Sequence, residues 1–189
     1  GQWDYMFFYL DNFELVLDQM EEDLEKFLAI TFRRPSDETI SMFNTAKGYK
    51  SPTALITKNG GWFRQDGYVG LNSMPEIGFD KQIFSGDKAQ FYIDTFKKNG
   101  LRGPNSWYMN GSKNDDYAKE LGGFTQITKP VLFVAGENDS VLTPETNSHN
   151  AMACTNLTEK SLPTGHWMAM EKPLETNKLI FDWLNSIFN

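Results

Sequence analysis

An aspartate and a histidine in the last third of the chain have the placement of a catalytic acid–base pair. Asp139 ends the turn GEND (136–139) after a short apolar run, and His166 lies in PTGHW (163–167) after the next predicted strand. Ligand chemistry in an open parallel sheet collects at the carboxyl ends of the strands, so the two side chains should meet. Alone, Asp139 could cap its turn and His166 could be a surface residue. Together they are typical of an acid that orients a general base.

The nucleophile that such a pair would serve is not apparent. In α/β-hydrolases the order along the chain is nucleophile, acid, histidine, and the nucleophile lies on a tight turn after a strand, with small residues two positions to either side. Among Ser, Asp and Cys, the segment GFDKQ (78–82) comes closest, but Gln82 is too large and no strand is predicted before it. Cys154 has no small residue at the required spacing. No His-Gly oxyanion segment is present either.

Composition excludes several classes of function. The 189 residues are enough for a real core in one domain or two small ones. Eighteen basic against 25 acidic residues give a net charge of −7, which argues against nucleic acid and anionic lipid as partners. No apolar run approaches the roughly 20 residues of a membrane span. With Cys154 the only cysteine and only His149 and His166 as histidines, we predict no disulfide and no metal site, and we interpret His149 as solvent-facing.

The region 1–122 is predicted to be helical. Apolar residues spaced by three and four predict one amphipathic helix from about 13 to 32, and Ser36 is a plausible N-cap for a second short helix. Another helix should end at KKNG (97–100), since basic residues followed by glycine are a helix stop. Shorter helices are expected within LRGPNSWYMNG (101–111) and around 117–121. Residues 48–84 are broken by Gly and Pro throughout, and we predict a long functional or mobile loop there.

The region 123–189 is predicted to be strand–helix–strand–helix. The apolar run VLFVAG (131–136), bounded by Pro and Gly, is typical of a buried parallel strand. A helix is predicted at about 144–152, a strand at 158–162 and an amphipathic helix at 173–188. Two strands are too few for a doubly wound sheet. The predicted fold class is therefore α/β, but with an incomplete core.

Several segments resemble the soluble epoxide hydrolase family, which has the α/β-hydrolase fold. FYIDTFKKNGLRGPNSWY (91–108) closely resembles the family's cap, VLFVAGENDSVL (131–142) its acid loop, and GHWMAMEKP (165–173) its histidine loop. The segment Trp3-Asp4-Tyr5 is similar to the family's segment at the start of the cap. The resemblance implies a helical cap at 1–122 and the C-terminal part of the core at 123–189. It also implies an absent N-terminal half with the Asp nucleophile and oxyanion hole, which agrees with the start at Gly1.

The resemblance implies roles for four residues. Tyr5 and Tyr108 match the two cap tyrosines that hold the epoxide oxygen, a role suited to phenol hydroxyls because ring opening develops an alkoxide. Asp139 and His166 match the charge-relay acid and the water-activating base. The nucleophile would form an alkyl-enzyme ester, which water activated by His166 would hydrolyse to a diol. This chemistry uses no cofactor, and we expect this chain alone to be inactive and poorly folded.

Other residues bear on the substrate. Trp107 and Trp167 are expected to pack beside the site and contact a small hydrophobic epoxide. Met6 stands where several family members have a polar residue. Together with the loop aromatics Trp62, Phe63 and Tyr68, it would change the shape of the substrate pocket rather than the reaction.

Two other functions stay open. A haloalkane dehalogenase-like hydrolase would share the nucleophile and base but has no use for paired tyrosines. A non-catalytic module could bind a small molecule in the aromatic cap pocket. The expected partners are the substrate and the N-terminal half, and detoxification or lipid-epoxide turnover is the expected role. With no signal-peptide pattern at the start of the chain, a soluble, cytoplasmic protein is expected.

Overall fold

The computed structural model describes residues 3–36, 52–61, 77–84, 86–123, 125–142 and 149–188. By their internal contacts, the residues group into two compact units, Gly1–Ser112 and Lys113–Asn189. The boundary predicted at 122–123 separates a cap from part of a core, which is a functional division that this grouping by contacts does not test, so it stays a prediction.

The first unit is built from helices. They are α1 (Asp4–Asp11), α2 (Phe13–Glu22), α3 (Leu24–Thr31), α4 (Pro52–Asn59), α5 (Lys88–Asn99), α6 (Arg102–Asn105), a 3₁₀ helix (Ser106–Asn110) and α7 (Gly111–Glu120), which runs on into the second unit. Every regular element among the described residues before 123 is helical, in agreement with the sequence.

The single helix predicted for 13–32 is wrong, because the chain breaks at Asp23. The backbone leaves the helical region there (φ −129°, ψ 64°), and the Asp23 carboxylate accepts a hydrogen bond from the Lys26 N–H at 3.2 Å. This is an N-cap that starts α3 afresh. The apolar spacing continues across the break, which is why periodicity alone did not reveal it.

The prediction of a structureless loop over 48–84 is also wrong in part, because α4 lies within it. Pro52 occupies the first helical position, where its missing N–H is no loss. The helix stops at Gly60 and Gly61, both with positive φ (72° and 126°), and Ile56 is buried in the core. Trp62, Phe63 and Tyr68 lie outside the described residues, as does most of the second short helix predicted after Ser36.

The core of the first unit holds the segment that carries Tyr108. Buried apolar side chains from α1, α2, α3, α4 and α5 form one cluster, which Leu101 joins. Glu21 accepts a hydrogen bond from the Leu101 N–H at 2.6 Å, and Arg102 forms a salt bridge with Glu14. The buried Asn105 side chain donates to the Leu101 carbonyl at 3.1 Å. These contacts fasten α6 against α2 just before the 3₁₀ helix begins.

The second unit has a two-stranded parallel sheet among its described residues. Its elements are β1 (Val131–Gly136), α8 (Asn150–Ala153), β2 (Leu157–Leu162), α9 (Met168–Glu171) and α10 (Pro173–Phe188). The register runs from Val131 opposite Leu157 to Gly136 opposite Leu162, so both strands end at the same edge. The bounds predicted for β1 and α10 are confirmed, and β2 starts one residue earlier than predicted. The predicted helix at 144–152 is seen only as α8, since 143–148 lie outside the described residues.

The burial predicted for β1 is wrong for this chain. Five of its six residues are only half-buried, and Gly136 alone is buried. On α10, Leu174, Phe181 and Phe188 are exposed. A parallel sheet is normally covered on both faces, and the described part of the chain provides too few elements to do so. None of the described helices is long and apolar enough to cross a membrane.

Candidate active site

The predicted acid and histidine lie in contact. Asp139 is in the turn after β1, and His166 is between β2 and α9, so the parallel register brings both to one sheet edge. The Asp139 Oδ2 atom lies 3.0 Å from His166 Nδ1. With Nδ1–H donated to the carboxylate, the Nε2 atom is left as the proton acceptor, which is the arrangement of a general base and its orienting acid.

The Asp139 side chain is held as well as buried. Its Oδ1 atom accepts hydrogen bonds from the Val141 and Leu142 N–H groups at 2.8 and 2.9 Å. Burial pushes the Asp139 pKa upward, but the His166 hydrogen bond and the two backbone donors outweigh it and hold the pKa below its usual value. The side chain is 7% exposed, against 37% for His166. Asp139 is thus a buried carboxylate at neutral pH, and His166 is open to a reactant.

The two loops are locked together through the backbone. A Cβ atom built on Gly136 would lie 2.3 Å from the Gly165 carbonyl oxygen and 2.9 Å from that of Thr164. The Asn138 N–H donates to the Thr164 carbonyl at 2.9 Å. Glycine at 136 therefore allows the histidine loop to pass directly over the end of β1. Sequence reasoning took Gly136 only as the end of the strand and missed this role.

Tyr5 and Tyr108 are also brought together, within the first unit. Their ring centroids lie 5.7 Å apart with an interplanar angle of 74°, an edge-on contact. Burial, and then the neighbouring Tyr108, raise the pKa of Tyr5 well above its usual value. Both rings pack edge-on against the buried Tyr9, at 5.4 and 5.0 Å. Tyr5 is therefore a neutral phenol that can donate a hydrogen bond at any physiological pH. Tyr9 was missed, although it lies one helical turn after Tyr5.

The three predicted substrate contacts differ in placement. The Trp167 ring packs edge-on against His166, with centroids 5.0 Å apart. Met6, the residue after Tyr5 on α1, is half-buried. Trp107 is 77% exposed, so it does not pack within the described part of its own unit.

The nearest candidate for a nucleophile within the chain serves a structural role. Asp80 Oδ2 accepts hydrogen bonds from the Arg34 side-chain Nε at 2.8 Å and from the Arg34 backbone N–H at 3.1 Å. Its Oδ1 atom accepts from Arg34 Nη2 at 3.1 Å and from the Gln82 backbone N–H at 3.0 Å. Burial would raise the Asp80 pKa, but these donors lower it to about 2. Both oxygens are occupied, so Asp80 joins two segments of the first unit. Among the described residues, no group of three His, Cys, Asp or Glu could hold a metal ion.

Comparison with known proteins identifies relatives, although no family model matches the sequence. The chain is 32% identical to bifunctional epoxide hydrolase 2 of Mus musculus over 183 residues, which cover 93% of this chain and 30% of the mouse protein. It is 31% identical to the Sus scrofa protein of the same name over 170 residues, covering 88% of this chain and 27% of that protein. The chain thus spans less than a third of the length of these curated relatives.

Solved structures show the same fold. Epoxide hydrolase A from Mycobacterium thermoresistibile superposes with a TM-score of 0.69 at 22% identity, covering 96% of this chain and 51% of that one. An epoxide hydrolase mutant from Vigna radiata superposes at 0.55, also at 22% identity, covering 89% and 55%. The sheet, the helices and the sequence likeness agree, and the chain belongs to the epoxide hydrolase family of α/β-hydrolases.

Proposed function

We propose that this chain provides the oxygen-binding tyrosines and the water-activating base of an epoxide hydrolase. The observation that carries the proposal is the contact between two phenol side chains, Tyr5 and Tyr108, with burial keeping Tyr5 neutral. Opening an epoxide leaves a basic alkoxide, which needs hydrogen-bond donors and finally a proton. The pair is suited to both tasks, and the oriented His166 is suited to the hydrolysis that follows.

The nucleophile is proposed to come from the N-terminal half of the complete α/β-hydrolase fold, which this chain does not contain. Two observations support this: Asp80 is engaged by Arg34, and the matched region of the M. thermoresistibile enzyme is only about half of that chain. In functional terms, we assign 1–122 to the cap and 123–189 to the C-terminal part of the core.

The first proposed step forms an ester. A carboxylate oxygen of the nucleophile attacks one ring carbon, and the bond from that carbon to the epoxide oxygen breaks. Tyr5 and Tyr108 hydrogen-bond to the oxygen as its negative charge grows, and one of them transfers its proton. The alkylated enzyme then carries the future diol as a hydroxyalkyl ester.

The second proposed step hydrolyses that ester. His166 Nε2 takes a proton from water while the water oxygen attacks the ester carbonyl, and Asp139 stabilises the imidazolium that forms. Collapse of the tetrahedral intermediate expels the alkoxide end of the diol, which takes the proton from the His166 imidazolium. The carboxylic acid formed on the nucleophile gives its proton, through water, to the tyrosinate left by the first step, so both the carboxylate and the phenol are restored. Protons and electron pairs balance among substrate, water and side chains, so the sequence of steps needs no cofactor.

The proposed substrate is a small hydrophobic epoxide, for which half-buried Met6, the residue after Tyr5, is the supporting feature. A dehalogenase would expel a stable halide and would gain nothing from a phenol pair. Detoxification or lipid-epoxide turnover, and a cytoplasmic location, remain expectations of the family resemblance.

The test uses a completed enzyme, in which an N-terminal half carrying the nucleophile precedes Gly1. That half is grafted from the part of the M. thermoresistibile enzyme that this chain does not match. We expect diol from 1,2-epoxyoctane and no chloride from 1-chlorooctane, and no diol from the 189-residue chain alone. Chloride release without diol would favour the dehalogenase. Binding of the epoxide without either product, by a folded protein, would favour a non-catalytic module.

A further inference from the structure

The Glu171 carboxylate spans the backbone on both sides of His166. Glu171 is the last residue of α9, and its Oε2 atom accepts a hydrogen bond from the Gly165 N–H at 2.8 Å. Its Oε1 atom accepts from the Trp167 N–H at 3.2 Å. These are the residues directly before and after His166, so a single side chain binds both of its neighbours.

Capping of α9 explains only half of this geometry. Trp167 is the N-cap residue of α9, and its N–H is one of the donors that a helix start leaves unpaired. Gly165, however, lies outside the helix and is buried, and its N–H has no role in starting α9. A cap would need one oxygen. The second oxygen fastens the residue that precedes the histidine.

His166 is therefore held at two levels. Asp139 holds the ring through Nδ1, and the Gly136–Gly165 contact fixes one side of the loop. Glu171 fixes the other side through charge-assisted hydrogen bonds, which are stronger than neutral ones. The His166 ring is partly exposed, so it needs such support to stay in one orientation. Small displacements of a catalytic group slow the step that it catalyses steeply.

Building on the proposed function, we propose that Glu171 is a positioning residue for His166, acting through the backbone of residues 165–167 on the ester-hydrolysis step alone. It touches neither the substrate nor the reacting atoms. Its loss leaves nucleophilic attack intact, because a carboxylate nucleophile needs no base, and it slows water activation.

The experiment separates the two chemical steps in the completed enzyme. Single-turnover mixing with 1,2-epoxyoctane, followed by quenching and intact mass spectrometry, gives the rates of ester formation and ester hydrolysis. We expect Glu171→Gln to slow hydrolysis about 10- to 100-fold, the range seen when a group that orients a metal-binding histidine is lost. Ester formation should be unchanged, because only the position of His166 is altered. Glu171→Asp, which keeps both acceptor oxygens, should recover part of the rate. Glu175→Gln is the matched control, since Glu175 is an exposed acid on the neighbouring α10.

A second readout does not depend on activity. Long-range ¹H–¹⁵N correlation of the histidine rings, with His166 assigned by His166→Gln, reports the ring tautomer. We expect the Nδ1–H form in the parent and in Glu175→Gln, and a mixture of tautomers in Glu171→Gln. Equal slowing of both steps, or normal hydrolysis with an unchanged tautomer, would overturn the role of Glu171. If the parent forms no ester, the proposed function fails, and the tautomer still decides whether Glu171 positions His166. If Glu171→Gln does not fold, Glu171→Asp carries both measurements.

Discussion

Gly136 lies closer to the Gly165 backbone than a side chain at position 136 would allow: a Cβ atom there would lie 2.3 Å from the Gly165 carbonyl oxygen. The contact joins the end of β1 to the loop after β2. Asp139 and His166 lie three residues and one residue beyond these glycines, so the approach of the two backbones sets the distance between the two side chains.

Replacing Gly136 should therefore disturb both stability and the acid–histidine pair. The obstructing atoms belong to the backbone, so Gly136→Ala forces the loops apart, at about 1–3 kcal/mol in the free energy of unfolding. Urea unfolding of the completed enzyme measures the loss. Gly111→Ala is the control, because a Cβ at Gly111 meets nothing within 4 Å and should be neutral or slightly stabilising. Equal stability of Gly136→Ala and the parent would show that the loops are not in this contact.

The tyrosine pair separates epoxide opening from dehalogenation. Removing one donor to a developing oxyanion slows comparable reactions by about 10²–10³. Two donors share the charge here, so Tyr5→Phe or Tyr108→Phe should slow ester formation less than that, and the double variant should lose nearly all of it. Phenylalanine keeps the edge-on packing against Tyr9, so the fold should persist. Alkylation by the double variant at close to the parent rate would assign the tyrosines to packing and remove the basis of the epoxide proposal.

The Arg34–Asp80 pair predicts a pH dependence of stability. The Asp80 pKa is about 2 in the fold and near 3.8 in the unfolded chain, so the carboxylate favours folding above about pH 4. That contribution is lost as the pH falls from about 4 to 2. The difference in urea midpoint between the parent and Asp80→Asn should be largest at pH 5 and shrink toward pH 2. Asp182→Asn, which alters an exposed pair with Lys178, should show no such trend. A constant difference across this range would mean that Asp80 is not held by Arg34.

Elements that begin or end at a proline or glycine were predictable from the sequence. Pro130 and Gly136 bracket β1, and Pro173 opens α10, so composition alone located both. The break at Asp23 was not predictable, because the apolar spacing runs through it. Nor was α4, since the surrounding glycines obscured a helix of eight residues that begins at Pro52.

Only the part of the site that follows from the order of the strands along the chain was predictable. Asp139 and His166 each follow a strand, and parallel pairing brings them together. The closeness of Tyr5 and Tyr108 depends on packing between distant helices, and only the family resemblance pointed to it. Glu171 has no signal of its own, because its partners are backbone groups and any acid near the loop looks like a solvated side chain.

Trapping the ester tests the role of His166 most directly. In the completed enzyme, His166→Gln should still be alkylated, because the nucleophilic carboxylate needs no base, while water activation fails. Asp139→Asn should give a milder form of the same defect, since it disturbs the tautomer of the histidine without removing the base. After addition of 1,2-epoxyoctane, intact mass spectrometry of His166→Gln should show the protein heavier by one substrate molecule, and the adduct should persist. The opposite result would be a folded His166→Gln protein that stays at its original mass while the parent makes diol. It would contradict the claim that a carboxylate forms the ester and that His166 acts only in its hydrolysis.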